Sequence, residues 1–255
     1  MKPNLVVDVG NSRIKWGYCA EDRVVHKASL PPDDPSSWEK QIKQWELGGE
    51  LQWAVASVHP ERSGRLVQWV KQRGDQSCLI YESEKLPIKI NVREPHRVGI
   101  DRLLNAVAAK SRVQRNVSIF IIDVGSAVTV DWVDEEGTFR GGAILPGLRM
   151  MAKALHEHSA ALPLLAIEEI PPNEWPRVPG TATESAMRAG IFWAVAGGIK
   201  AVLWQLVTRA KASRHHVIYL TGGDALYVAP VLEPEVDYWR EMTLEGIRLA
   251  AEALP

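Results

Sequence analysis

"DVGNSRIKW" at residues 8–16 and "DVGSAVTVDW" at residues 123–132 set the same short device twice in one chain. In each, Asp-Val-Gly closes an aliphatic run, "NLVV" before the first and "VSIFII" before the second, and a small polar residue follows. The runs read as buried strands, and glycine lets the backbone turn where a side chain would keep a ligand away. One isolated Asp-x-Gly would be turn chemistry alone. Two copies with the same flanks predict two halves built alike, each holding something at its turn. The hydroxyl and backbone N–H of the small residue suit a phosphate oxygen, whereas the carboxylate must face a cation or a water bound to one.

Working outward, "RIKWGYCA" and "RVVHKASL" complete a three-strand meander. A helix in "PPDDPSSWEKQIKQWELGG" follows, with Trp38, Ile42 and Trp45 on one face. Then come a strand "LQWAVASV", a helix "ERSGRLVQWVKQRG", a strand "SCLIYES", the loop "NVREPHRVGIDR" and a helix "RLLNAVAAKSR". The second half opens with another three strands, in "VSIFIIDVGSAVTVDWVDEEGTFRGGAILPG". A helix is expected to begin at Pro146 and to carry Leu148, Ala152, Leu155 and Leu162. A long helix from Thr183 to Ala210, a strand ending in the glycine turn of "TGGDA" and a last helix "TLEGIRLAAEAL" complete the chain. The expectation is an α/β protein of two domains, 1–117 and 118–255, each a mixed sheet led by a three-strand meander with flanking helices.

Composition narrows the function. With 30 Lys+Arg against 31 Asp+Glu and a formal charge of −1, no long-range field gathers nucleic acid or anionic lipid, so a phosphate ligand must be held by a local site. The N-terminus lacks the apolar core of a signal peptide, and no segment reads as a membrane span. Two cysteines, Cys19 and Cys78, suit reduced thiols in a cytoplasmic protein. Neither a G-x-x-x-x-G-K-[ST] phosphate loop nor a G-x-G-x-x-G after a strand is present.

Four segments together carry a resemblance: "DVGNSRIKW" at 8–16, "VGIDRLLNAVAA" at 98–109, "IDVGSAVTVDWVDEEGTFRGGAILPGLRM" at 122–150 and "TGGDA" at 221–225. Their order resembles the superfamily of actin, the seventy-kilodalton heat-shock chaperones, sugar kinases and acetate kinase. Within it the sequence is similar to the type III pantothenate kinases over nearly its whole length. The resemblance implies two ribonuclease H-like (actin-like ATPase) domains and transfer of the γ-phosphoryl group of ATP to pantothenate, the first step of coenzyme A synthesis.

By the same resemblance, Asp8, Val9, Gly10, Asn11, Ser12, Arg13, Ile14 and Lys15 form the first phosphate loop, with Asp8 turned to magnesium directly or through water. Gly99, Ile100, Asp101 and Arg102 bind pantothenate, and Asp101 is the catalytic base. Asp123 holds a monovalent cation, K+ or NH4+, and Ser126 contacts ATP. Thr183 contacts substrate, and Gly222 and Gly223 lie under the adenosine. Ser12 and Ser126 stand where the family commonly has Thr, which keeps the hydroxyl. Val92 stands where a Tyr is common near the substrate pocket. The resemblance also implies a cytoplasmic homodimer.

By residue chemistry alone, "GIDR" reads equally well as an N-cap Asp beside a surface Arg. His156 and His158 are two apart, a poor spacing for a metal pair, and His215 and His216 read as surface residues. Of the 10 tryptophans, Trp38, Trp45, Trp69, Trp193 and Trp204 fall in helical patterns that suit core or interface packing. Residues 135–137, "EEG", read as a hairpin turn. Two other functions stay open: a regulatory accessory factor of this fold with weak or no kinase activity, and a small actin-like ATPase. Intact acids at 8, 101 and 123 argue against the first, and "GIDR" against the second.

Overall fold

The computed structural model describes all residues except 11–12, 115, 168–174, 212–215, 233–235 and 255. The chain forms two compact units, Met1–Val113 with Glu241–Pro255, and Gln114–Arg240.

Unit 1 contains β1 (Leu5–Val9), β2 (Ile14–Ala20), β3 (Arg23–Leu30), α1 (Pro35–Gln44), β4 (Gln52–Ser57), α2 (Pro60–Gln72), β5 (Gln76–Ile80), the short β6 (Lys89–Ile90) and α3 (Ile100–Arg112). Unit 2 contains β7 (Ser118–Val124), β8 (Ala127–Val133), β9 (Thr138–Pro146), α4 (Leu148–Glu157), α5 (Thr183–Ala210), β10 (His216–Thr221), α6 (Ala225–Leu232) and β11 (Asp237–Tyr238). The last helix, α7 (Met242–Ala253), belongs to unit 1.

The two sheets have one plan. In unit 1 the order is β3-β2-β1-β4-β5, with the meander antiparallel and β4 and β5 joined in parallel. In unit 2 the strands β9-β8-β7-β10-β11 repeat that order and those directions. The central strand of each sheet is thus the one that runs into Asp-Val-Gly. Both faces of such a strand are covered, so β1 and β7 read as continuous apolar runs instead of alternating ones. Asp8 and Asp123 are the penultimate residues of these strands.

The core of unit 1 is aromatic. Trp16, Trp38 and Trp53 are fully buried, and Trp69 and Trp45 pack against them. Trp16 and Trp53 meet edge to face at 4.9 Å between ring centroids, the arrangement that ring quadrupoles favour. Helix α1 opens with Asp34 as its N-cap, whose carboxylate accepts from Ser36 N and Ser37 N. The core of unit 2 is mainly aliphatic, formed by Ile122, Val128, Val130 and the inner face of α5, with Phe120 and Phe192 among them.

Three expectations are corrected. The domain division differs from 117/118: unit 2 starts at Gln114, and α7 packs on α3 instead of in the second half. A β-carbon on Gly246 of α7 would lie 2.1 Å from Leu104 O, so the helices meet backbone to backbone. Thr243 Oγ1 donates to Asn105 Oδ1 at 2.8 Å, and Glu245 Oε1 accepts from Val24 N at 2.7 Å. Second, Pro146 ends β9 opposite Ala127, Gly147 caps α4, and that helix stops at Glu157, leaving Leu162 outside it. Third, α5 is long and apolar enough to cross a membrane by length and composition alone. Its Met187, Ile191, Phe192, Val195, Ile199 and Leu203 fill the core of unit 2.

Trp38 is buried and Trp45 and Trp69 pack on the core, whereas Trp193 and Trp204 are exposed. His156 and His158 are exposed, and His216 lies edge-on to Phe120. His215 lies outside the described residues. The "EEG" turn is closed by Asp134, whose Oδ1 accepts from Glu136 N and Thr138 N.

Candidate active site

In unit 1, the strand register of β1 with β2 sets Asp8 opposite Lys15, and the two form an ion pair at 3.5 Å. Asp8 is largely buried, its side chain 13% exposed. The turn after it closes through Gly10 N to Arg13 O at 3.1 Å, over a buried Val9 and a buried Ile14. Arg13 is exposed; Asn11 and Ser12, named for the phosphate loop, lie outside the described residues. Arg62 of α2, which sequence reasoning missed, donates to Gly10 O at 3.4 Å and pairs with Asp33 at 3.6 Å. Its signal was only a cation one turn into a helix that follows a parallel strand.

The "GIDR" segment opens α3. Gly99 is the N-cap and Asp101 sits in the first turn, so Asp101 is not itself the cap. A carboxylate there is favoured by the helix dipole, and Asp101 Oδ1 accepts from Arg102 N at 2.9 Å. A β-carbon on Gly99 would stand 2.5 Å from the same Oδ1. Ile100 is buried beneath, Arg102 is half-buried, and Val92 is half-buried in the preceding loop.

In unit 2, the turn after β7 closes through Gly125 N to Ala127 O at 3.0 Å, with Ser126 exposed at its tip. Two glycines press on this turn. A β-carbon on Gly147 would lie 2.5 Å from both Gly125 O and Ser126 O, and one on Gly222 would lie 2.3 Å from Val124 O. Gly222 has φ +106°, and Asp224 N donates to Val124 O at 2.9 Å. Gly223 is exposed, and a β-carbon there would meet nothing within 4 Å. The structure therefore brings Asp123, Gly125, Ser126 and Gly222 together. Thr183 stands apart from that turn in sequence and opens α5 as an exposed residue, with Ser185 Oγ accepting from the Ala182 N–H at 3.0 Å.

The two turns differ in charge. Across the strands, Asp8 faces Lys15, but the equivalent partner of Asp123 is Thr129. Directly opposed residues of an antiparallel pair share one face of the sheet. The Thr129 hydroxyl is buried and has no hydrogen-bond partner among the described residues. The strand register thus sets a lysine opposite the first aspartate and a threonine hydroxyl opposite the second. Among the described residues no cluster of three or more His, Cys, Asp or Glu could hold a metal ion. Such a donor set fits a divalent ion that arrives on a nucleotide and takes most of its ligands from phosphate and water.

Solved structures with this architecture include a conserved protein from Campylobacter jejuni assigned to the Baf family of transcriptional activators, with TM-score 0.58, 19% identity and 97% of each chain covered. MreB5 of Spiroplasma citri bound to ADP matches with TM-score 0.54 and 10% identity over 99% of this chain and 97% of its own. The fold is that of the actin-like ATPases, a mixed α/β fold with two mixed sheets.

The particular branch follows from sequence. The family model for type III pantothenate kinase matches residues 4–205. The type III pantothenate kinase of Caulobacter vibrioides is 35% identical over 255 residues, spanning 95% of this chain and 94% of its own. The chain belongs to the type III pantothenate kinase family. Its activity is ATP-dependent phosphorylation of pantothenate in coenzyme A biosynthesis, with a divalent metal ion accompanying ATP.

Proposed function

We propose that Asp101 is the general base of this reaction. The hydroxyl of pantothenate gives its proton to the Asp101 carboxylate as its oxygen forms a bond to the γ-phosphorus; the bond from that phosphorus to the β–γ bridging oxygen breaks, and ADP leaves. What carries the reading is the arrangement at the start of α3: a carboxylate fixed by Arg102 N–H, with a glycine where a β-carbon would displace it. Gly99, Ile100, Arg102 and Thr183 are assigned to pantothenate, Arg102 to its carboxylate.

The first loop, residues 8–15, and the second turn at Ser126 are assigned to the phosphates of ATP, and Gly222 and Gly223 to the adenosine. Magnesium, when bound, spreads the charge of the transferring phosphoryl group; Asp8 would hold it directly or through water. Asp123, with the Thr129 hydroxyl beside it, is assigned a monovalent cation, K+ or NH4+. The support is the Thr129 hydroxyl, buried and without a hydrogen-bond partner among the described residues, which the strand register sets opposite Asp123.

The working form is assigned as a homodimer. The outward face of α5 carries Ala186, Gly190, Ala194, Gly197 and Ala201 in a row, flanked by exposed Trp193 and Trp204. Small residues let two helices approach closely, and large exposed aromatics are typical of subunit contacts. The near-zero net charge and two free cysteines are in keeping with a cytoplasmic enzyme that binds neither nucleic acid nor membrane.

The test is ADP release in magnesium and ATP, with and without pantothenate, in K+ or Na+. Turnover is expected to need pantothenate and to rise in K+. Hydrolysis that ignores pantothenate would point instead to a simple ATPase.

A further inference from the structure

Arg149 is the second residue of α4, one of the positions where the helix dipole disfavours a cation. Its guanidinium Nη1 contacts both carboxylate oxygens of Asp224, at 2.5 Å from Oδ1. Asp224 is buried, its side chain 9% exposed, while Arg149 is 47% exposed. A nearly buried carboxylate without a cation would be costly to keep, so the pair is a fixed feature of the fold and not a passing surface contact.

Its place gives it a purpose. Arg149 lies two residues after Gly147, which abuts Gly125 O and Ser126 O. Asp224 lies two residues after Gly222, which abuts Val124 O, and Asp224 N itself donates to Val124 O. Three segments therefore close into a ring: the turn 124–126, the start of α4, and the glycine turn after β10. The ion pair is the side-chain link between the latter two.

We propose that Arg149 and Asp224 are positioning residues for ATP. They latch the start of α4 to the glycine turn, and so hold the backbone of residues 124–126 in the form that receives phosphate. The proposal rests on the assignment of that turn to ATP. Neither residue takes part in the chemistry, and pantothenate binding does not depend on them.

The test compares Arg149→Met, Arg149→Lys, Asp224→Asn and the double variant Arg149→Met/Asp224→Asn, with Ser126→Ala as the reference for the turn. Readouts are KM for ATP, KM for pantothenate, Kd for a non-hydrolysable ATP analogue, and Tm. Arg149→Met is expected to raise KM and Kd for the nucleotide about tenfold while KM for pantothenate stays within about twofold, and Arg149→Lys to restore part of the loss. The double variant should be no worse than the poorer single one, because two halves of one link are not additive. Because Arg149 is half exposed, its variants test the latch even if Asp224→Asn fails to fold. Unchanged nucleotide affinity in Arg149→Met would overturn the latch if Ser126→Ala still weakens ATP. If Ser126→Ala also leaves ATP binding unchanged, the assignment of the turn fails, and the latch with it. Equal rises in both KM values with a fall in Tm would mark a merely structural pair.

Discussion

Gly99 and Asp101 stand so close that a β-carbon on the glycine would lie 2.5 Å from Asp101 Oδ1. Gly99 has φ −54° and ψ 130°, a backbone form open to any residue. The glycine is therefore required by its neighbour and not by its own conformation, and the atom in conflict is the free end of a side chain that can swing away. Gly99→Ala is expected to leave Tm within about 2 °C of the parent and to lower kcat about 100-fold, since a misplacement near 1 Å at a reacting group costs that much. Thermal unfolding and steady-state rates check this; full activity in the variant would show that the carboxylate need not sit where Gly99 lets it.

Gly222 presents the opposite case. Its φ is +106°, and the atoms a β-carbon would strike belong to the backbone of Val124. Gly222→Ala should cost at least about 1–3 kcal/mol of stability, and it should also weaken ATP binding. Gly223→Ala, with nothing within 4 Å of a β-carbon, should be near neutral for stability. Denaturant unfolding of the two variants side by side would reveal the difference.

For the cation, Asp123→Asn is expected to abolish the difference between K+ and Na+ in rate and in nucleotide affinity. Thr129→Val should reduce that difference without unfolding the protein, because it removes a buried hydroxyl that has no hydrogen-bond partner among the described residues. Titrating KCl against analogue binding provides the check.

The thiols give a prediction in pH. Burial pushes the Cys19 thiol from 9.0 up to about 12, with Glu245 adding to the effect, and Cys78 is raised as well, chiefly by burial. A raised folded-state pKa leaves stability intact below pH 9; above it the unfolded chain gains thiolate that the folded one does not, so stability falls between pH 9 and 12. Cys19→Ala should flatten part of that fall. At pH 8, alkylation of Cys19 in the native protein should be far slower than in the unfolded chain.

Much of this was legible beforehand, for identifiable reasons. Both meanders announce themselves because β1 and β7 are central strands, apolar on both faces, that stop at Asp-Val-Gly. The long helix α5 is visible from Thr183 to Ala210 because nothing breaks it. Helix α6 was not, since "ALYVAPVL" is apolar on every side, shows no period and contains Pro230. The periodicity of α7 announces a buried face but cannot say which helix covers it, and so its return to unit 1 was missed.

At the site, the same limit separates local from distant relations. Asp8, Asp101 and Asp123 lie in short motifs that can be read in place. The Arg149–Asp224 pair joins residues 75 apart, and the orphan hydroxyl of Thr129 depends on strand register. Neither leaves a mark in the order of residues.

The most direct measurement is pantothenate-dependent ADP release by Asp101→Asn, with pantothenate and ATP-analogue affinities measured on the same protein. Asn keeps the size and the acceptor oxygen for Arg102 N–H but cannot take the proton. Affinities are expected within a few-fold of the parent and a kcat lower by about 10²–10⁴. A variant that turns over pantothenate at the parental rate would contradict the assignment of Asp101 as the general base.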